Sequence, residues 1–545
     1  MLYSNQFWLY IERMYIAHVP NRTSPPAILL RESFRQDGKV RTRTLANLSH
    51  WPPERIEALD RLLHGDFDHA VLSEPTLGPV FGLLYALKQI ADQIGLTAAL
   101  GTSERGRLSL FLILARIAHQ GSRLSAVRWA QDQAVREVLG LRGFDEDDLY
   151  AALDDLCQHQ EKIEQALYRR YLRQRGSPPR LFLYDVTSSY LEGMHNELGA
   201  FGYNRDGKRG KLQIVIGLLT DEQGEPLAVR VFDGNTADPT TVAEQIQILQ
   251  KQFQVQELVF VGDRGMVKSK GKQALQQAQL HYITALTDPQ IRRLLGEGIL
   301  QLPLFSETIC EVEHEQLRYV LRRNEAEAVR AQRRLQDKLA KLEAKIQVRN
   351  QQVQQQPRCE PQAGLRQMQA WAQQHKLPAL VQLRLEANQI VLERQEEAMT
   401  QHLQLAGCYV ITTDVAGAQM NCQQVHDSYL ALQGVERDFR ALKTGLLEVR
   451  PLFVQKANRT RGHVFCCMLA LKLTREMRQR LQTVFGTTDD NPHAITLKDA
   501  LTALSRLCLL SYSVGEPAAV VTKLPHPDVT QTQVLDALAV HLPKM

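Results

Sequence analysis

The sequence predicts an α/β protein: a mixed sheet flanked by helices, carrying an α+β insertion and preceded by a small β unit and a helical block. Three observations predict it. Two almost continuous apolar runs, Leu181–Thr187 and Glu257–Asp263, have the composition of strands buried on both faces. Helical stretches separate the strands in the order that crossover connections need. A charged stretch over residues 288–404 then interrupts this order, before a strand and amphipathic helices resume it.

At 545 residues the chain is too long for one core. Composition shifts divide it into a small basic β-rich unit (1–75), a helical block that could hold a DNA-reading helix but reads more simply as a plain bundle (76–176), a first core part (177–287), an insertion (288–404), a second core part (405–482) and a helical tail (483–545). The net charge of +5 is modest for this length, so an anionic partner must be met by local basic clusters. Residues Met1–Asn21 lack the basic-then-apolar order of a signal peptide. The longest apolar runs, Leu108–Ala115 and Val464–Leu471, fall far short of a membrane span. The eight cysteines show no C-x-x-C pair and no zinc-like spacing. A reduced, cytosolic protein that does not engage a membrane is therefore expected.

In chain order, Met14–Val19 and Ala27–Phe34 predict short strands, with a turn at Gln36-Asp-Gly38. Ser125 is a cap for a helix carrying Val127, Ala130, Ala134 and Val138. Asp145 caps a longer one whose stripe is Leu149, Leu153, Leu156, Ile163 and Leu167. After the Gly176–Pro179 linker the period changes, and strands are expected at Leu181–Thr187, Lys211–Leu219 and Leu227–Phe232. A helix over Pro239–Gln252, a strand ending at Asp263, a helix over Gly271–Gln279 and a strand over His281–Leu286 follow. In the insertion, Ile309–Val312 and Leu317–Leu321 alternate as strands. Leu335, Leu339, Leu342 and Ile346 then mark one arm of a helical hairpin whose second helix spans Pro361–His375. Cys408–Thr413 returns as a strand, then a helix is expected over Gln423–Leu446 and another over Thr460–Gln482.

Asp185 interrupts an apolar strand, and an unpaired carboxylate there is costly unless a cation, a donor or solvent meets it. Asp263 ends its strand just before Arg264-Gly265 turns the chain, and strand ends of this kind line the functional crevice of an open α/β sheet. Singly, each is more commonly a cap or local ion pair. As a pair on neighbouring strands, joined by Glu436 from a packing helix, they converge three oxygen donors. Hard divalent ions such as Mg²⁺ are held that way, and two of them ~4 Å apart would suit phosphodiester chemistry. In the predicted 423–446 helix, Tyr429, Glu436 and Lys443 stand seven residues apart and share a face.

Basic clusters flank all three carboxylates. Arg205, Lys208, Arg209 and Lys211 follow the first, and Arg264, Lys268, Lys270 and Lys272 follow the second. Arg437, Arg440, Lys443, Arg450, Lys456, Arg459 and Arg461 surround the third. Each alone reads equally as solvated surface. Together they suit a polyanion whose scissile phosphate meets metal while its backbone meets Lys and Arg.

These residues resemble the DDE transposases of bacterial insertion sequences, in the branch with a Tyr-x2-Arg-x3-Glu-x6-Lys signature. The signature reads Tyr429-x2-Leu432-x3-Glu436-x6-Lys443 here. "LFLYDVTSSY" resembles the first-aspartate motif and "FVGDRGM" the second; "FDGNTAD" and "RGHVFCCMLALKL" are also similar to this branch. The likeness covers roughly residues 180–480 and implies an RNase H-like core with an insertion before the glutamate. It implies that Asp185, Asp263 and Glu436 bind Mg²⁺ or Mn²⁺, as two ions, and that Tyr429 and Lys443 contact phosphates. Arg437, Arg440, Arg264, Lys208 and Arg209 are the further DNA contacts expected. The partners implied are double-stranded DNA, as terminal inverted repeats and target, and a second copy of the chain. Two positions depart from the branch: Leu432 replaces the signature Arg, and Met266 replaces an aromatic residue. A metal-dependent nuclease or resolvase of the same fold, or a non-catalytic DNA-binding remnant, are the alternatives.

Overall fold

The computed structural model describes residues 14–543 apart from 22–24, 37–38, 65–74, 209, 256–257, 265, 268, 357–358, 444–446, 448, 450–451 and 515–518. They form two units, Met1–Val80 with Leu507–Asp528 and Leu542–Met545, and Phe81–Arg506 with Val529–His541.

In the first unit, β1 (Met14–Val19), β2 (Ala27–Gln36) and β3 (Lys39–Asn47) make an antiparallel sheet in that order. Gln36 pairs with Lys39 across the expected turn, whose residues 37–38 lie outside the described residues. Helix α1 (Pro53–Leu63) packs against β1. Strand β4 (Thr76–Val80) belongs to a second small sheet, completed below.

The second unit opens with helices α2 (Gly82–Gln93), α3 (Leu96–Leu100), α4 (Glu104–Ala118), α5 (Arg123–Ala130), α6 (Val135–Leu139) and α7 (Glu146–Arg175). Asp145 caps α7 in a reciprocal box: its carboxylate accepts from Asp148 N at 3.0 Å, and Asp148 accepts from Asp145 N at 3.2 Å. Its predicted apolar stripe is buried. The helix expected after Ser125 is instead two short ones, because Ser122 is the cap, accepting from Ser125 N at 3.1 Å. The Ser125 hydroxyl meets His119 Nε2 at 2.6 Å.

The main sheet has eight strands. Third from one edge, β5 (Leu181–Tyr190) runs antiparallel to β6 (Gln213–Asp221), which pairs antiparallel with the edge strand β7 (Pro226–Asp233). On its other side β5 runs parallel to β8 (Val259–Gly262), and β8 parallel to β9 (His281–Ala285). The order β7-β6-β5-β8-β9, an antiparallel triplet continued by two parallel strands, is RNase H-like. Helix α8 (Asp238–Gln247), extended by a wider turn at Ile248–Gln252, crosses from β7 to β8, and α9 (Ser269–Gln277) from β8 to β9. Phe182, Tyr184, Phe260 and Tyr282 fill the core beneath them. Tyr184 lies so close over Gly217 that a Cβ there would stand 2.2 Å from its hydroxyl.

Beyond β9 come α10 (Asp288–Gly296), β10 (Cys310–His314) and β11 (Leu317–Arg323); both strands join the main sheet rather than a separate one. The chain then leaves the sheet through α11 (Glu325–Gln355), α12 (Pro361–Gln374), the hairpin β12 (Val381–Glu386)–β13 (Gln389–Arg394) and α13 (Glu396–Gln404). Leu335, Leu339, Leu342 and Ile346 of the expected arm pack here with Met368, Leu380 and Ile390 in a core of their own. The chain returns as β14 (Cys408–Thr413), between β9 and β11.

The expected 423–446 helix is two, α14 (Cys422–Leu430) and α15 (Leu432–Lys443). At Ala431 the chain tightens, with Gly434 N donating to Ala431 O at 2.8 Å, a three-residue rather than four-residue bond. Helix α16 (Ala457–Phe485) is buried through most of its length and packs on α7, α4 and β7. It is followed by α17 (Leu497–Leu504), then β15 (Cys508–Val514) and β16 (Ala519–Lys523), which pair with each other and with β4. Helix α18 (Val529–Ala537) closes the second unit. The tail is thus not wholly helical: its strands find their partner more than 400 residues upstream, at Thr76, which local patterning does not register.

Candidate active site

Two neighbouring strands bring the aspartates together. Tyr184 on β5 lies opposite Gly262, the last residue of β8. The next residues on each strand are Asp185 and Asp263, side by side on parallel chains that run ~4.8 Å apart. The Asp185 carboxylate accepts from Val186 N at 2.7 Å, and Asp263 Oδ1 from Arg264 N at 2.6 Å. Helix α15 packs against β5 and carries Glu436 on its exposed face, while Leu432, Val435, Phe439 and Leu442 are buried as expected.

The electrostatics tie the three together. Burial pushes the Asp185 carboxyl up to about 7 from its ordinary 3.8. Its bond from Val186 and the Arg205 charge oppose that rise, whereas the negative fields of Asp263 and Glu436 add to it. Among the described residues no three of His, Cys, Asp and Glu stand close enough, as placed, to hold a metal ion. The donor set nonetheless suits a hard dication: oxygen ligands, and carboxylates whose mutual negative field a cation would relieve.

Tyr429 stands near the end of α14, and Glu436 and Lys443 stand seven residues apart on α15, with the turn at Ala431 between the two helices. The Tyr429 hydroxyl donates to Asp263 Oδ1 at 3.0 Å, and burial followed by that carboxylate's charge pushes the phenol upward. Lys443 Nζ meets Asp206 Oδ1 at 2.9 Å, both side chains almost buried. Asp206 also accepts from Tyr190 N at 3.3 Å, so the pair ties the end of α15 to the end of β5. Leu432, where the signature has Arg, is 6% exposed and faces the core, and Met266 is 2% exposed.

Of the expected phosphate contacts, Arg437, Arg440, Arg264 and Lys208 are exposed. Arg264 is only loosely held, by Asp288 at 3.9 Å, and Lys208 lies over the Tyr190 ring. Arg209 lies outside the described residues. Sequence reasoning missed Asp206 and Asp238. The latter accepts from Arg205 through both oxygens, at 2.7 and 2.6 Å. The "FDGNTAD" run that ends at Asp238 was the available signal. A cavity of about 430 Å³ opens beside Asp238, lined by Tyr203, Arg205, Gln213, Asp238 and Arg264.

An RNase H-like sheet with aspartates at adjoining parallel strands and a glutamate on a packing helix is a candidate site for metal-dependent phosphoryl transfer. The chain belongs to the DDE transposases: the transposase DDE domain model matches residues 176–473, and the IS1634 family transposase N-terminal domain model matches residues 17–71. It is thus an insertion-sequence DNA transposase, with divalent-metal-dependent phosphodiester chemistry. Among solved structures, a piggyBac transposase synaptic complex with hairpin DNA matches at 11% identity and a TM-score of 0.36, covering 79% of this chain and 82% of that one. No curated protein matches. Among the described residues, no helix is long and apolar enough to cross a membrane.

Proposed function

We propose that Asp185, Asp263 and Glu436 are the catalytic carboxylates and that they hold two ions of Mg²⁺ or Mn²⁺ against the scissile phosphate. The observation that carries this reading is the β5–β8 register, which makes Asp185 and Asp263 neighbours with Glu436 acting on the same carboxyl. Bound there, the ions would raise the nucleophilicity of an attacking oxygen and offset charge on the departing one. Tyr429 steadies Asp263 through its hydroxyl, in addition to the phosphate contact its signature implies. Lys443 acts from beneath, fixing α15 through Asp206. Arg437, Arg440, Arg264 and Lys208 receive the DNA backbone on the open side.

The substrate is the pair of terminal inverted repeats of the element. Each end is cut by hydrolysis, and the freed 3′-hydroxyl then attacks target DNA at the same carboxylates. Two ends must be paired, so the acting species is a homodimer on DNA, working in the cytoplasm at the nucleoid. Replacing Asp185, Asp263 or Glu436 by its amide abolishes cleavage of a terminal-repeat duplex and leaves binding largely intact. One amide variant that cuts normally would overturn the triad. Joining of pre-cut ends separates a transposase from a nuclease of the same fold, which hydrolyses but does not join. Inverted repeats bounded by a short target duplication around the gene would support the same conclusion from DNA alone.

A further inference from the structure

We infer that the β2–β3 ribbon of the N-terminal sheet is a docking arm for double-stranded DNA, an addition to the carboxylate site. The sheet order leaves β3 at an edge, and α1 packs at the opposite edge, on β1. Every residue of β3 is exposed, including Val40 at 65% and Leu45 at 41%. Strand geometry puts Lys39, Arg41 and Arg43 on one face and Val40, Thr42 and Thr44 on the other. In the sequences of the two strands Arg31, Arg35, Lys39, Arg41 and Arg43 stand against Glu32 alone. That one acid is already engaged, holding Arg43 at 2.7 Å. Among the described residues neither Lys39 nor Arg41 has a carboxylate partner.

Ala27–Glu32 of β2 are also paired with β1, so the two-stranded part of the ribbon is Ser33–Gln36 with Lys39–Thr42, about 13 Å long. The DNA major groove, ~12 Å wide, admits a two-stranded ribbon of this kind. Lys39 and Arg41 then meet phosphates. Thr42 and Val40 present a hydroxyl and a small apolar group of the sort that meets base edges and thymine methyls. The competing account is that the charges only guard an uncovered edge against pairing with another strand.

The inference rests on the transposase reading, and its test is kept separable from it. The full chain is titrated with a fluorescent mixed-sequence duplex over a range of salt, as parent and as the double variant Lys39→Gln, Arg41→Gln. Affinity should fall at least tenfold, and the slope of log affinity against log salt should shrink by about 1.8, at ~0.9 per lost phosphate contact. Thermal unfolding is followed in parallel, and Val40→Ala, Thr42→Val serves as a second variant that spares the charges; it should weaken binding with the slope kept. An unchanged slope in the charge variant overturns the inference, and if self-association rises at the same time the guard account replaces it. If Asp263→Asn loses cleavage while the charge variant binds like the parent, the arm is wrong and the catalytic reading stands. If Asp263→Asn cuts normally, the catalytic reading fails whatever the ribbon does.

Discussion

Asp185 is a carboxylate that the fold holds at a disadvantage. Its folded value of about 7 lies above the ordinary 3.8, mainly through burial. For an acid raised in this way the fold prefers the neutral form. Stability therefore falls as pH climbs through that window, and the penalty is complete above 7. A dication would relieve it. In chelator at pH 8, Asp185→Asn should accordingly be more stable than the parent by roughly 1–3 kcal/mol and melt at a higher temperature. Mg²⁺ should stabilise the parent but not the variant, as a melting scan with and without the ion would read. Both aspartates were legible in the sequence because a charge inside or at the end of an apolar run stands out. Asp206 was not: it sits in a basic, turn-rich loop, and its partner Lys443 lies on a distant helix. Leu432 is a different case, a substitution visible in the motif whose packing against the core only the fold reveals.

Among the elements, α7 and α16 make the closest crossing described. Gly462 sits at the contact, and a Cβ added to it would stand 2.0 Å from Leu153 O, a backbone atom that cannot swing aside. Gly462→Ala should therefore part the helices and cost about 2–4 kcal/mol, far outside the small change usual for a helical Gly→Ala. Chemical denaturation would measure it. Nothing in the chain's pattern marks this crossing, since one glycine in a long apolar helix looks like any other. Long periodic helices were readable: α7, its Asp145 cap and its stripe follow directly from spacing. Short features were less so. The β12–β13 hairpin turns at Ala387 and Asn388, both at positive φ (46° and 65°), and an isolated Ala-Asn pair between alternating residues is a faint signal. The break at Ala431 has none of the usual punctuation beyond Gly434.

For the whole molecule, the last stretch of chain is structural. Helix α18 belongs to the second unit, where Gln531 donates to Ala503 O at 3.0 Å, and Val534 and Leu538 are fully buried. Strands β15 and β16 supply two of the three strands in their sheet in the first unit. Truncation after Arg506 should therefore lower the melting temperature and expose both units to limited proteolysis, where an inert tail would leave the digestion pattern unchanged. The excursion between β11 and β14 has the opposite character. Its two ends meet: Arg323 pairs with Cys408, and Asn324 N donates to Gly407 O at 2.8 Å. A segment joined chiefly at its ends, with Arg292 of α10 donating to Gln401 O at 3.0 Å beside them, resembles a pendant hung from a clasp. Its length can change while the strands beneath keep their pairing, so an insertion or deletion there should leave the cutting chemistry undisturbed.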